Sequence, residues 1–260
     1  MQPHLRPKPV YFISDLHLGA SYIPSPREHE LRVVHFLESL IGEASELILV
    51  GDVLDYWFEY RTVVPRGYTR FFGVLARLAD SGVKVSWFKG NHDIWLFDYL
   101  RDEIGIEILD GVVVRDILGK RFLMAHGDRQ GKVNAGFRII QGIFRNKILQ
   151  KLYAGIHPRW TIPFAHGWSS SSRDFSNYVA PQFDPDTEPL VDFCRQYEAM
   201  NTDNPIDYFI FGHRHCLADY PLPSGHARMV ILGDWISHNS YGMFDGTNFS
   251  LNIFSENGKK

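Results

Sequence analysis

The chain has 260 residues and a net charge of −3, with 45% hydrophobic and 22% charged residues. This composition is that of a folded globular protein, and it excludes disordered and collagen-like classes. Only two cysteines are present, Cys194 and Cys216, so a disulfide framework is excluded and reduced thiols are expected.

Short apolar runs alternate along the chain with stretches of helical spacing. Apolar residues at helical period predict helices over Glu28–Ile41 and Tyr68–Ser81, and the tail Phe249–Lys260 fits a final edge strand with a frayed end. Alternation of strands and helices favours an α/β fold with much parallel pairing. The apolar runs predict buried strands at Val10–Ser14, Leu47–Val50, Val83–Phe88, Arg121–Ala125, Tyr208–Phe211 and Met229–Leu232.

The segment from Gly131 to about Pro189 breaks this alternation. We interpret it as a helical cap inserted at about 131–189 into a single domain spanning 1–260. Its apolar residues form one helical stripe before a stretch rich in Trp, Pro and His: Phe137, Ile140, Phe144, Ile148 and Leu152.

Positive charge is concentrated in one part of the chain. From Arg129 to Arg173 there are eight Lys or Arg residues and no Asp or Glu. The whole chain has 27 basic and 30 acidic residues, so the remainder carries 19 basic against 30 acidic, a balance of −11. The segment therefore places a local positive field within an acidic protein.

Each of the first five predicted strands is followed at once by side chains that can bind metal. Because sites in open α/β sheets form outside the carboxyl ends of strands, we expect the five ends to meet in one crevice. Along extended chain, alternate side chains share a side, which predicts that Asp15 and His17 face the crevice together, and likewise His213 and His215. The seven candidate ligands are Asp15, His17, Asp52, Asn91, His126, His213 and His215.

These residue types suit a two-metal site. Two divalent cations roughly 3.5–4 Å apart can share a carboxylate and lower the pKa of bound water, which supplies a nucleophile near neutral pH. Mixed Asp, Asn and His ligands favour Mn²⁺, Fe, Co or Zn over an all-oxygen Mg²⁺ or Ca²⁺ site. One Asp-x-His fragment is weak evidence, but five such blocks in order are strong.

The five blocks resemble those of the calcineurin-like metallophosphoesterases. The resemblance covers about Val10 to Leu232 and implies a four-layer αββα sandwich with a helical cap. It rests on Asp15-x-His17, Gly51-Asp52, Gly90-Asn91-His92-Asp93, His126-Gly127 and Gly212-His213-x-His215.

The resemblance also implies a role for each block residue. Asp52 would bridge two divalent metal ions, which we expect to be Mn²⁺. His92 would act beside the scissile phosphate as an electrophile or proton donor, with Asp93 as its orienting partner. The first ion would take Asp15, His17, Asp52 and His215, and the second Asp52, Asn91, His126 and His213.

A narrower resemblance is to the UDP-2,3-diacylglucosamine diphosphatases of lipid A synthesis. It rests on Gly51–Glu59 (GDVLDYWFE), on Gly233-Asp-Trp235 and on the basic insertion. It implies cleavage of the pyrophosphate of UDP-2,3-diacylglucosamine to UMP and 2,3-diacylglucosamine 1-phosphate. One residue departs from the pattern of these diphosphatases: His92 stands where their best-known branch has Arg. The expected substrate contacts are Asn91, His92, Asn134, Arg173 and His213, although Arg173 is equally compatible with a solvated loop cation.

The insertion also predicts where the protein acts. Apolar residues interleaved with Lys and Arg are typical of elements that lie on a membrane surface. The polar start of the chain, Met1–Lys8, lacks the apolar core of a signal peptide, and no apolar run reaches about 18 residues. We therefore expect a cytoplasmic protein, peripheral on the inner membrane. The expected partner is a nucleotide-linked glycolipid, with neither a nucleic acid nor an obligate protein partner.

Three alternatives stay open at this point. The chain could be another phosphohydrolase on the same scaffold, acting on dinucleotide polyphosphates, cyclic nucleotides or phosphoproteins, although the apolar insertion argues against a small polar substrate. A second alternative is a metal-stabilised binding scaffold without catalysis, which usually lacks some of the ligands found here. A nucleic-acid phosphodiesterase is disfavoured by the net charge of −3.

Overall fold

The computed structural model describes residues 7–132, 134–163 and 181–256. Its strands form two sheets, one of six strands and one of five. In the first sheet the order is β11-β10-β1-β2-β3-β4, with β1 to β4 parallel and β10 and β11 antiparallel. Its strands are β1 Val10–Ile13, β2 Glu46–Leu49, β3 Lys84–Phe88, β4 Glu107–Leu109, β10 Ser240–Phe244 and β11 Phe249–Ile253.

The second sheet has the order β5-β6-β7-β9-β8. Strands β6, β7 and β9 are parallel, and β5 and β8 pair antiparallel at the two edges. The strands are β5 Val113–Ile117, β6 Lys120–Ala125, β7 Tyr208–Phe211, β8 Leu217–Pro221 and β9 Arg228–Leu232. All six predicted strands are therefore confirmed, with ends shifted by at most one residue, and the predicted tail strand is β11.

Six helices with both ends defined accompany the sheets in the described residues. The predicted helices correspond to α1 and α2, each within two residues at its ends. Helix α1 begins with Pro26 in its first turn, where a missing N–H costs no hydrogen bond. The helices are α1 Pro26–Ser39, α2 Thr69–Asp80, α3 Tyr99–Ile104, α4 Ala135–Arg145, α5 Lys147–Ala154 and α6 Pro189–Met200.

Alternation along the buried strands creates three apolar layers. Phe12 of β1 faces the second sheet, where its ring stacks on Phe122 at 5.7 Å, while the next residue, Ile13, packs with α1 and α2. On the far side of the second sheet, Phe209 packs with residues of α6 such as Val191. The layers run helix, sheet, sheet, helix, so the predicted αββα sandwich is confirmed.

The apolar stripe predicted for the insertion is divided in the structure. Asn146 adopts an extended backbone (ψ 117°) between α4 and α5, where its side chain caps α5. The change of axis leaves Phe137, Ile140 and Phe144 half-buried but exposes Ile148 by 70% and Leu152 by 65%. The prediction of one continuous helical stripe is therefore wrong, because the helix break at Asn146 changes the helical phase.

The helices of the described residues are all too short or too polar to cross a membrane.

Candidate metal centre

The predicted ligands lie at the carboxyl ends of strands from both sheets. Asp15 and His17 follow β1, Asp52 follows β2 and Asn91 follows β3, all in the first sheet. From the second sheet come His126 after β6, and His213 and His215 after β7. The site therefore lies where the two sheets face each other.

One group of three donors comprises Asp15, His17 and His215, with ligand atoms within 4.8 Å of one another. Asp15 Oδ1 lies 3.8 Å from His17 Nε2 and 3.5 Å from His215 Nε2. All three side chains are buried. The other oxygen of Asp15, Oδ2, accepts hydrogen bonds from the backbone N–H of His213 at 2.8 Å and from the hydroxyl of Ser14.

A second group comprises Asp52, His126 and His213, again within 4.8 Å. His126 Nε2 lies 3.2 Å from both Asp52 Oδ2 and Asn91 Oδ1. The same Asp52 oxygen is 3.8 Å from His17 Nε2 in the first group. Asp52 thus lies between the two groups, as expected of a bridging carboxylate.

Several buried donor atoms at this site are available to a metal. Among the described residues, none hydrogen-bonds to Asp15 Oδ1, Asp52 Oδ2 or His213 Nδ1. Buried polar atoms are rarely left without a partner, because desolvation without a new hydrogen bond is costly. The donor set therefore fits two divalent cations.

Five of the seven candidate ligands have a left-handed backbone. Their φ values are 55° at Asp15, 45° at His17, 50° at Asp52, 66° at His213 and 53° at His215. This conformation is strained for residues with a Cβ and clusters at functional sites. The expectation that extended alternation aligns the two pairs is therefore wrong, because tight left-handed turns after the strand ends place them.

Glycines beside the ligands give the site its room. A Cβ built on Gly51 would lie 2.5 Å from His126 Nδ1, and one on Gly90 would collide with Asp52 Oδ1. At Gly212 a Cβ would overlap the Ser14 hydroxyl. These positions require glycine because the side chains of His126, Asp52 and Ser14 fill the space.

The Nδ1 atoms of His215 and His126 contact groups that were not predicted from the sequence. His215 Nδ1 lies 3.1 Å from Asp234 Oδ2, and His126 Nδ1 lies 2.8 Å from the carbonyl of Val50. Such contacts fix the tautomer and orientation of a metal-binding ring. Asp234 follows β9 in Gly233-Asp-Trp235, so the last predicted strand also ends in a site residue, which is the signal that could have identified it.

His92 is oriented by a different carboxylate from the one predicted. Its Nδ1 is 3.0 Å from the carbonyl oxygen of Asp55 and 3.3 Å from Asp55 Oδ1. Asp55 Oδ1 is also 3.4 Å from His17 Nδ1, so Asp55 links His92 to the first group. The signal in the sequence was its place three residues after Asp52 in the Gly51–Glu59 block.

The prediction that Asp93 orients His92 is wrong in this structure. The Asp93 carboxylate accepts from the backbone N–H of Gly90 at 2.7 Å and of Val53 at 2.9 Å, and from Trp87 Nε1 at 3.0 Å. These bonds point it into the protein. Asp93 instead joins the loop after β3 to the loop after β2.

Electrostatics within the site favour paired charges. Burial alone would raise the pKa of Asp52, but His126, His92 and His17 hold it well below its usual range. For His126, burial lowers the pKa while Asp52 raises it more, to well above the usual value. Burial, together with the charge of His126, lowers the pKa of His213 to about 3. A neutral His213 is the form that can bind a metal.

A cavity of about 170 Å³ opens beside the second group and brings two predicted substrate contacts together. His213 and Asn134 both line it, as does Phe137. Asn134 also caps α4, because its side-chain oxygen accepts from the N–H of Gly136 at 2.8 Å. Of the other predicted contacts, Asn91 and His92 lie in the loop after β3. Arg173 lies outside the described residues.

The chain matches a known protein family. The family model of calcineurin-like phosphoesterases matches residues 8–217, most of the chain. The chain belongs to the calcineurin-like phosphoesterase family. That family assignment, predicted from five short blocks, is confirmed.

Curated relatives of this phosphoesterase share most of its length. A UDP-2,3-diacylglucosamine hydrolase of Porphyromonas gingivalis is 42% identical over 255 residues, which cover 93% of this chain and 96% of the relative. Proteins of the same name from Neisseria meningitidis and Nitrosococcus oceani are 29% identical over 240 residues and 26% over 231. Their matches cover 90% and 87% of this chain, and 92% and 87% of the relatives.

Proposed function

We propose that this phosphoesterase hydrolyses the pyrophosphate of UDP-2,3-diacylglucosamine, giving UMP and 2,3-diacylglucosamine 1-phosphate. The observation that carries the hydrolytic part is the pair of buried donor groups with Asp52 between them. The substrate is supported by the relatives of that name, which align over nearly the whole chain. An apolar cap beside a polar, metal-binding cleft is also what an acylated nucleotide substrate requires.

The proposed ligands follow the two groups. Asp15, His17 and His215 would hold one ion, and Asn91, His126 and His213 the other, with Asp52 shared. When bound, two divalent cations, Mn²⁺ in our proposal, would provide an activated water and neutralise phosphoryl charge.

His92 is proposed as the acid or charge-stabilising group. Its side chain is 12% exposed, and its Nδ1 faces Asp55, so Nε2 is the nitrogen available to a substrate. A protonated His92 can donate from Nε2 to a phosphoryl or leaving-group oxygen, while Asp55 holds the proton on Nδ1. The carboxylate of Asp55, 3.3 Å from Nδ1, is placed to stabilise that charged form, and the nearby carboxylate of Asp52 also favours it.

We also propose that the insertion at 131–189 acts as a cap that touches the membrane surface. Its described part exposes a row of apolar side chains, and exposed basic residues such as Lys147 and Lys151 lie between them. Apolar residues beside cations suit an interface with anionic lipid headgroups. The exposed apolar residues are Ile139, Ile143, Ile148, Leu149, Leu152, Ile156 and Trp160.

Arg145 of the insertion and Arg129, which lies just before it, have a different task. Arg129 and Arg145 both bind Asp110, which follows β4, with Nη2 and Nη1 at 2.6 and 2.7 Å from its carboxylate oxygens. The ion pair of Arg145 joins the cap to the end of β4 in the first sheet, and that of Arg129 joins the segment just before the cap to the same residue. They leave the outward-facing Lys and Arg residues for lipid contact.

Phosphorus NMR tests the reaction directly. UDP-2,3-diacylglucosamine is incubated with the Mn²⁺-loaded protein, with the same sample in EDTA, and with an Asp52→Ala variant. UMP and diacylglucosamine 1-phosphate formed only by the metal-loaded wild type support the proposal. Failure on this substrate with intact hydrolysis of an aryl phosphodiester would assign the site to a different phosphoester.

Vesicle binding tests the membrane contact separately. Leu152→Glu places a charge on the exposed cap, and Ile253→Glu is a matched control because both side chains are 65% exposed. We expect Leu152→Glu alone to reduce cosedimentation with anionic vesicles. Equal binding by the two variants would contradict a membrane role for this face.

A further inference from the structure

Arg214 lies between the two candidate ligand histidines that follow β7, and it has no role in the site so far described. The turn Gly212–His215 is tight, with Arg214 N–H donating to the Gly212 carbonyl at 2.7 Å and left-handed backbone at His213 and His215. Arg214 nevertheless lines the 170 Å³ cavity together with His213.

A buried carboxylate holds this arginine in place. Arg214 Nε donates to Glu188 Oε2 at 2.9 Å, and the side chain of Glu188 is only 6% exposed. The other oxygen, Glu188 Oε1, accepts from the N–H of Leu190 at 3.2 Å and so caps α6. Because both oxygens of Glu188 are engaged, it fixes one edge of the guanidinium and leaves the opposite edge free.

The cavity contains further unengaged donors. Lys132 also lines it, and among the described residues neither its ammonium nor the two Nη groups of Arg214 has a hydrogen-bond or ion-pair partner. The second acid of the cavity, Asp128, is bound by Gln141. The free polar groups of the cavity therefore include two cations beside His213, which suits an anion placed next to the second donor group.

We propose that Arg214, supported by Lys132, binds the second phosphoryl group of a phosphoanhydride substrate while the first lies at the metal centre. A planar guanidinium held by its Nε edge can present its Nη donors to two phosphoryl oxygens. Arg214 then determines specificity for diphosphates over simple phosphodiesters. Glu188 is a positioning residue. This inference deepens the proposed function and rests on it for the class of substrate.

Calorimetric binding tests the proposal without turnover. The probes are α,β-methylene-UDP, which cannot be hydrolysed between its phosphorus atoms, and UMP, each titrated into the Mn²⁺-loaded full chain. We expect the wild type to prefer the diphosphate analogue, and Arg214→Gln to lose about 10- to 100-fold of that preference, the scale of a charge-assisted hydrogen bond. UMP affinity should stay within about twofold.

Two more variants separate charge, position and structure. Arg195→Gln removes an exposed arginine of α6 outside the cavity and should leave the preference unchanged. Glu188→Gln keeps an oxygen that can cap α6, yet should reduce the preference several-fold because the guanidinium is held less firmly.

The outcomes are distinguishable from those of the proposed function. Equal affinity of the wild type for the two probes, an unchanged preference in Arg214→Gln, or an equal loss for both probes overturns the assignment of Arg214. Absence of turnover on UDP-2,3-diacylglucosamine with a preference that depends on Arg214 instead overturns the proposed substrate and retains the diphosphate subsite.

Discussion

Gly51→Ala tests whether the metal centre needs the space that this glycine leaves. Gly51 has a φ of +88°, and its built Cβ would lie 2.5 Å from His126 Nδ1 and 2.7 Å from His126 Cγ. The imidazole cannot move freely, because it is 2% exposed and its Nδ1 lies 2.8 Å from the carbonyl of Val50. The substitution must shift either the backbone or a proposed ligand.

Gly42→Ala is the matched control. Gly42 has nearly the same φ, +85°, but a Cβ there meets no atom within 4 Å. It therefore reports only the cost of placing a Cβ in the left-handed region, about 1–2 kcal/mol. Gly51→Ala should add about 1–3 kcal/mol for overpacking and about 0.5–1.5 kcal/mol for the weakened hydrogen bond of His126.

Urea unfolding in EDTA and metal titration together measure both effects. We expect the free energy of unfolding to fall by about 1–2 kcal/mol in Gly42→Ala and by roughly 3–6 kcal/mol in Gly51→Ala. Because His126 loses its orientation, metal affinity should drop by about 10- to 100-fold in Gly51→Ala alone. Equal destabilisation of the two variants with unchanged metal affinity would refute the argument from space.

Four other substitutions address the remaining site and its frame. Asp52→Ala should abolish binding of both metals, measured as metal content after dialysis, since its Oδ2 lies between the two groups. His92→Ala should retain both metals and reduce turnover by about 10²- to 10⁴-fold, the usual scale for one acid or charge-stabilising group. Trp95→Phe removes the indole N–H that donates at 2.9 Å to the last turn of α4, and should impair turnover of the acylated substrate more than that of an aryl phosphodiester. Burial of Asp207 opposes ionisation, but the backbone N–H of Arg121 and a nearby lysine lower its pKa, so Asp207→Asn should destabilise at pH 7 and progressively less as pH falls below the usual value of 3.8.

Each of these has a contrary result. Two metals retained without Asp52 would remove its bridging role, and loss of metal without His92 would make that residue structural. An equal effect of Trp95→Phe on both substrates would mean that the hydrogen bond from Trp95 to α4 does not contribute to turnover of the acylated substrate in particular. A destabilisation by Asp207→Asn that persists unchanged at pH 2 would show that packing, and not charge, explains it.

The sequence predicted the positions of the candidate ligands at the strand ends, but it did not predict the orientation of their side chains. The ends of buried strands can be predicted because such a strand is a dense apolar run. A polar residue directly after it must lie at the edge of the sheet. The left-handed turns at Asp15 and His213 could not be predicted, because no glycine or asparagine occupies those positions to indicate a positive φ. The partner of His92 was also misassigned, since a role carried over from the family resemblance does not say which way the buried carboxylate of Asp93 points.

The weaker strands and the cap were harder to predict. Strands β8 and β10 contain polar or small residues such as Asp219 and Gly242, so their apolar pattern is diluted. The break between α4 and α5 rests on Asn146, whose side chain accepts from the N–H groups of Ile148 and Leu149. Helical periodicity alone does not reveal such a helix N-cap, because the apolar spacing continues across it.

The distribution of the ligands over both sheets has a consequence for how the protein matures. The donors span residues 15 to 215, and each of the two groups combines residues from the first and second sheets. A chain still being synthesised lacks a complete first group until His215 has emerged and β7 has docked beside β6. We therefore expect metal uptake to be a late event that stabilises the finished sandwich, and release of metal to accompany the first separation of the two sheets during unfolding.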